Sequence, residues 1–105
     1  MNQQVLMKKI KQMQDEMIKT QQEIEETVFF ASSGGGAVNV EVYGTKHLKA
    51  IEIDDDFEVE SKEDLNMLAE MIVAACNQAY KEIDDTTKEK MAKYQSMLGG
   101  FGGMF

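Results

Sequence analysis

Between Asn2 and Thr27 the apolar residues keep a 3–4 rhythm: Leu6, Ile10, Met13, Met17 and Ile24 fall 4, 3, 4 and 7 positions apart. At 100° per residue they gather into one narrow stripe, with Lys8, Lys11 and Lys19 on the far side. No Gly or Pro interrupts the span, so the pattern predicts one amphipathic helix over residues 2–27, about 39 Å long. A helix of that length overreaches a three-stranded sheet, so part of it should project or pair with a second chain.

The period then changes. Thr27-Val28-Phe29-Phe30 brings in the β-branched and aromatic residues that suit a strand, and Ser32-Ser33-Gly34-Gly35-Gly36 reads as a connecting turn. Val38, Val40 and Val42 alternate with Asn39, Glu41 and Tyr43, the pattern of a half-buried strand. Gly44-Thr45 turns the chain into a third strand from His47 to Ile53. Short connections join the three, which predicts an antiparallel meander within residues 27–54.

After an acidic loop, Ser61 with Asp64 three positions on reads as a capping box that opens a second helical region, 61–98. Its main stripe is Leu65, Leu68, Ile72, Cys76, Ala79 and Ile83, and a second one, Met67, Met71 and Ala74, lies on roughly the opposite side. A helix apolar on two sides needs two surfaces to pack against. One is the chain's own sheet, and a second copy of the chain would supply the other, with Met67, Met71 and Ala74 at the dimer interface. Past Asp84-Asp85-Thr86-Thr87 the pattern resumes with Met91, Tyr94 and Leu98, either as a new helix capped by Thr86 and Glu89 or as one bent helix. Residues 99–105, Gly- and Phe-rich, are expected to be a flexible tail. The fold class is therefore α+β: a long N-terminal helix, a three-stranded meander and a long C-terminal helix, in a single domain over residues 1–98.

Charge alters this picture more than composition does. The chain of 105 residues carries a formal net charge of −8, which opposes generic attraction to polyanions. The charge is segregated, however. Residues 1–20 hold four lysines against Asp15 and Glu16, residues 88–105 hold Lys88, Lys90 and Lys93 against Glu89, and residues 52–64 hold eight carboxylates against Lys62. Both ends are thus +2 and the middle stretch is −7. With no arginine, any phosphate contact would rest on lysine point charges. On the first helix, however, Asp15 stands four residues from Lys11 and Lys19, and Glu23 four from Lys19, the lacing of an ordinary solvated face. One cysteine, no signal-like start and no membrane-length apolar run point to a cytoplasmic protein without membrane partners.

Catalytic chemistry finds no residue set. His47 is the only histidine and has no nucleophile motif beside it, while Cys76 sits on an apolar stripe as an inert thiol would. Asp54, Asp56, Glu58 and Glu60 alternate like a calcium loop, but Val59 stands where glycine is needed and Leu65 where the bidentate glutamate is needed. Gly34-Gly35-Gly36 precedes a strand with no Lys-Ser/Thr after it, so it is a turn and not a phosphate cradle. The expectation is a non-enzyme with no metal, no cofactor and no small-molecule substrate.

Five segments taken in order carry a resemblance: Leu6-Met7-Lys8 through Met13-Gln14 to Met17, Ser33-Gly34-Gly35-Gly36-Ala37-Val38, Ile51-Glu52-Ile53-Asp54, Ile72 to Ala79, and Lys88-Glu89-Lys90-Met91. Together with the Gly/Phe-rich tail, they make the chain similar to the YbaB/EbfC family of bacterial nucleoid-associated proteins. The resemblance implies an intertwined homodimer with projecting helices that holds double-stranded DNA, acts in chromosome organisation and gene regulation, and has recombination and repair proteins as further candidate partners. Carried over by position, the candidate DNA contacts are Lys8, Lys9, Lys11, Lys19, Lys88, Lys90 and Lys93. Asp54-Asp55-Asp56 is more acidic than the family's usual continuation, and the tail lacks the usual prolines. An alternative from another class is a protein-binding adaptor or prefoldin-like holdase that presents Met-rich helical surface.

Overall fold

The first helix, α1 (Gln3–Glu26), opens where the Asn2 side chain accepts a hydrogen bond from the Val5 amide at 2.8 Å, satisfying one of the donors a helix start leaves open. It stops at Thr27, whose backbone is extended while its N–H still donates to the carbonyls of Glu23 and Ile24. The computed structural model describes residues 2–102.

Strands β1 (Val28–Ser33), β2 (Val38–Tyr43) and β3 (Leu48–Ile53) form the expected antiparallel meander in the order β1-β2-β3. The register sets Phe29, Ala31 and Ser33 opposite Val42, Val40 and Val38, and Ile51 and Ile53 opposite Val40 and Val38, so these residues share one face. A bulge between Glu41 and Val42 leaves Lys49 as the extra residue. β3 starts one residue later than expected: His47 belongs to the turn, where its carbonyl accepts from the Tyr43 amide. Between β1 and β2, Gly34, Gly35 and Gly36 all take positive φ (61°, 67° and 95°), a run that side-chain-bearing residues would enter only with strain.

Helix α2 (Lys62–Gly102) begins as the capping pattern predicts: the Asp64 amide donates to Ser61 Oγ at 3.2 Å, and the Asp64 carboxylate accepts from the Glu60 amide at 3.0 Å. It then runs through Asp84–Thr87 as one helix of 41 residues. Two local contacts hold that stretch in register, Lys81 to Asp85 at 3.1 Å and the Thr87 hydroxyl to the Ile83 carbonyl at 2.7 Å. The helix also takes in residues 99–102 of the expected tail, with no proline to stop it; residues 103–105 lie outside the described residues.

The core is a valine face under an alanine helix. Val38, Val40 and Val42 are buried against Leu68, Ala75, Ala79 and Ile83 of α2. Of the main stripe read from the sequence, Leu68, Ala79 and Ile83 are buried, Ile72 and Cys76 are half-buried, and Leu65 is exposed. The helix is rotated toward Ala75, because Ala75 and Ala79 let its backbone come close to the valines. α2 lies across β1 and β2, and this leaves the inward residues of β3 half open: Leu48, Ile51 and Ile53 keep 37%, 40% and 39% exposure.

Beyond Ile83, α2 leaves the sheet and runs antiparallel to α1. Met13 and Ile24 of the α1 seam are buried here together with Tyr94, while Leu6, Ile10 and Met17 are half-buried. The long first helix therefore projects, as its length requires, and its seam is met by the chain's own α2. The result is a two-helix arm on a small sheet, with an overall extent of 72 × 22 × 16 Å.

Candidate nucleic-acid interface

The arm carries every lysine that the sequence singles out. Lys8, Lys9, Lys11 and Lys19 stand on α1 and Lys88, Lys90 and Lys93 on the outer half of α2, all exposed. The seam that turns them outward is fixed by its buried partners: Thr20 Oγ1 and the Tyr94 hydroxyl lie 3.1 Å apart, and Tyr94 is only 1% exposed. Lys93 Nζ sits 4.9 Å from the centre of the Tyr94 ring.

The structure brings some of these lysines together and keeps others apart. Lys90 and Lys93 line one shallow groove between the helices with Thr20, Glu23 and Glu89. Lys9 lines a second with Gln12, Met13, Glu16 and Met97. Lys8, Lys11 and Lys19 span about 80° of the α1 surface, whereas Lys88 points about 140–160° away from Lys93 and Lys90. Among the described residues, the ion pairs are Lys46–Asp84 and Lys81–Asp85, so none of the seven arm lysines is engaged by a carboxylate. The lacing suggested by the i,i+4 spacings is not formed, and exposed pairs of that kind are worth only about 0.3–0.5 kcal/mol.

The acid lies at the opposite end. β3 runs from the turn beside α1 toward Ile53, so the Asp54–Glu60 loop emerges at the end of the sheet remote from the arm. Asp54 shapes this loop by accepting from the Asp56 amide at 3.1 Å through its carboxylate and from the Phe57 amide through its carbonyl. A basic arm tip and an acidic sheet end are the poles of the molecule.

The sequence reading passes over one basic group, the β2–β3 turn with Lys46, His47 and Lys49. Three such residues within four positions of a glycine turn are the signal that could have found it. This turn sits at the root of the arm. The Gly44 amide donates to the Thr27 carbonyl at 2.9 Å, and Lys46 Nζ reaches Asp84 of α2 at 2.8 Å. Lys49 Nζ lies 5.8 Å from the Tyr43 ring centre, and Tyr43 and His47 stack at 6.4 Å.

The residues expected at a dimer interface are not alike. Met71 is half-buried on the chain's own core beside Gly34, and its carbonyl accepts from Ser33 Oγ at 2.6 Å. Met67 and Ala74 are exposed, as are Leu65 (53%) and Val73 (58%) on the other flank of the same helix.

Known proteins agree with this architecture. A crystal structure of an uncharacterised protein of Helicobacter pylori superposes with a TM-score of 0.70 at 24% identity, over 90% of this chain and 98% of that one, which establishes the shared fold. A nucleoid-associated protein of Clostridium novyi is 45% identical over 102 residues, covering 95% of this chain and 85% of its own length. One of Chloroflexus aurantiacus is 34% identical over the full length of both chains. The model of the YbaB/EbfC DNA-binding family matches residues 1–98. The chain, with its lysine-bearing helical arm, belongs to the YbaB/EbfC family of nucleoid-associated DNA-binding proteins.

Proposed function

We propose that this protein binds double-stranded DNA as a homodimer at the cytoplasmic nucleoid, mainly through lysine contacts to the phosphate backbone, and so acts in chromosome organisation and gene regulation. The observation that carries this reading is the end-to-end separation of charge. Seven exposed lysines, none in an ion pair among the described residues, project on one arm, with the acidic loop at the far end of the sheet. Phosphates would meet the cations first, and the net charge of −8 would act from a distance that salt screens. Lysines scattered round two helices suit backbone positioning more than base-edge readout.

The dimer part of the proposal rests on the half-open core. Leu48, Ile51 and Ile53 face the same side as the buried valines, yet their own α2 does not cover them, and the first half of α2 is apolar on both flanks. A second copy would close both surfaces at once and would set two arms side by side. The test is a fluorescence-anisotropy titration of a labelled duplex at several salt concentrations. Binding that weakens as salt rises supports the reading, and absence of binding at low salt refutes it.

A further inference from the structure

The outer face of the sheet, opposite α2, carries Val28 and Ala50 half-buried and one strongly exposed large apolar residue, Phe30. Register places Phe30 beside Glu41 in one cross-strand row, and Ser32, Asn39 and Glu52 in the next. Phe30 is 64% exposed. Small Ser32 and Asn39 leave a shallow groove of about 310 Å³ lined by the phenyl ring and the two carboxylates, with no basic side chain lining it among the described residues. Neither Glu41 nor Glu52 is in an ion pair among the described residues, although Glu41 is half-buried.

The groove opens onto β1, which is an edge strand. Edges are usually blunted by charge, proline or a bulge. β1 reads Val-Phe-Phe-Ala-Ser-Ser, with no charge and no proline, and it pairs with β2 without a register shift. The other edge, β3, carries Lys49, Glu52 and the bulge. β1 therefore offers an unprotected row of backbone donors and acceptors next to an aromatic wall and two carboxylates.

We propose that this edge is a docking site for an extended cationic peptide segment of a partner protein. The segment adds as a strand to β1 and seats a lysine or arginine side chain against Phe30, between Glu41 and Glu52. Strand addition supplies the backbone hydrogen bonds, and the groove selects the charge, as a cation over an aromatic face flanked by carboxylates is attracted by both. The site lies on the opposite face from the half-open core and uses none of the arm lysines. A partner held here would leave both DNA and a second copy free to bind.

The test uses the intact protein and a synthetic alternating Lys-Val peptide, with a Glu-Val peptide as its opposite. The Lys-Val peptide should bind, shift and protect the β1 amides in NMR spectra, and lose about tenfold in affinity on Phe30→Ala or on Glu41→Gln with Glu52→Gln. Duplex affinity should stay unchanged in these variants. The proposal is overturned if the Lys-Val peptide does not bind, if the variants bind it as well as the parent, which would locate binding at the acidic loop, or if Phe30→Ala converts dimer to monomer, which would assign this face to a second copy.

Discussion

Thr20 and Tyr94 are 74 residues apart in sequence, and their hydroxyl groups lie 3.1 Å from each other across the arm. This contact makes the arm a built element, because a buried phenol needs a partner and the opposite helix provides it. Tyr94→Phe should cost about 1 kcal/mol, the net worth of one hydrogen bond. Tyr94→Ala should cost about 3–5 kcal/mol, as large aromatic truncations in a core do. Urea unfolding of the two variants beside the parent measures both, and equal losses would mean that the ring contributes nothing beyond its hydroxyl.

Gly44 is required for space. A Cβ at this position would run into the Ile24 carbonyl, and backbone cannot move aside as a side chain can. Gly44→Ala should destabilise by about 1–3 kcal/mol. Gly35→Ala meets open space and suffers only its positive φ, so it should cost about 1 kcal/mol. Melting temperatures of the two variants give the order, and a milder effect at Gly44 would count against the close approach at the arm's root.

Reversing charge on the arm should remove DNA affinity without unfolding the protein. Lys8→Glu with Lys11→Glu alters two exposed side chains that are in no ion pair among the described residues, so the circular dichroism spectrum and melting temperature should hold. Neutral variants such as Lys90→Gln with Lys93→Gln should lower the salt slope of binding by about 1 for each phosphate that no longer meets a lysine. Wild-type affinity in the Lys8/Lys11 double variant would remove those lysines from the interface.

Leu65→Glu or Val73→Glu places a carboxylate on a flank of α2 that the isolated chain leaves exposed. The folded monomer should tolerate either change, whereas a dimer that buries the flank should not. Sedimentation at concentrations where the parent is dimeric should show monomers. A variant that still sediments as a dimer would move the interface elsewhere, with Ile51→Glu on β3 as the next position to test.

Local rules made much of the fold legible. The Val38-Val40-Val42 alternation, the Ser61 cap with Asp64 and the α1 seam all report on neighbours within a few residues, and all three appear where the sequence places them. What the pattern does not carry is the identity of a partner surface. The seam of α1 announces that something covers it, but that Tyr94 of the same chain does so at Thr20 depends on α2 passing unbroken through Asp84–Thr87. The rotation of α2 toward Ala75 escapes the stripe reading for a similar reason, since alanine contributes little apolar signal yet decides how close two backbones can come. Of the candidate interface, residue type was legible, because lysines are visible in a sequence. Their grouping was not, because the pairing of Lys90 and Lys93 with Thr20 and Glu23 is a product of the antiparallel arm.

The unbroken α2 has a mechanical consequence. It is seated by Ala75 and Ala79 on the valines at one end and carries lysines at the other, with no joint between. The part beyond Ile83 extends about 28 Å, so tilting the seat by about 10° would swing the tip by about 5 Å, more than the roughly 3.4 Å rise of one base pair along a strand. The helix acts as a lever whose fulcrum lies in the core. Substitutions at Ala75 or Ala79, far from the arm tip, would thus shift the arm lysines and with them the spacing of the proposed phosphate contacts.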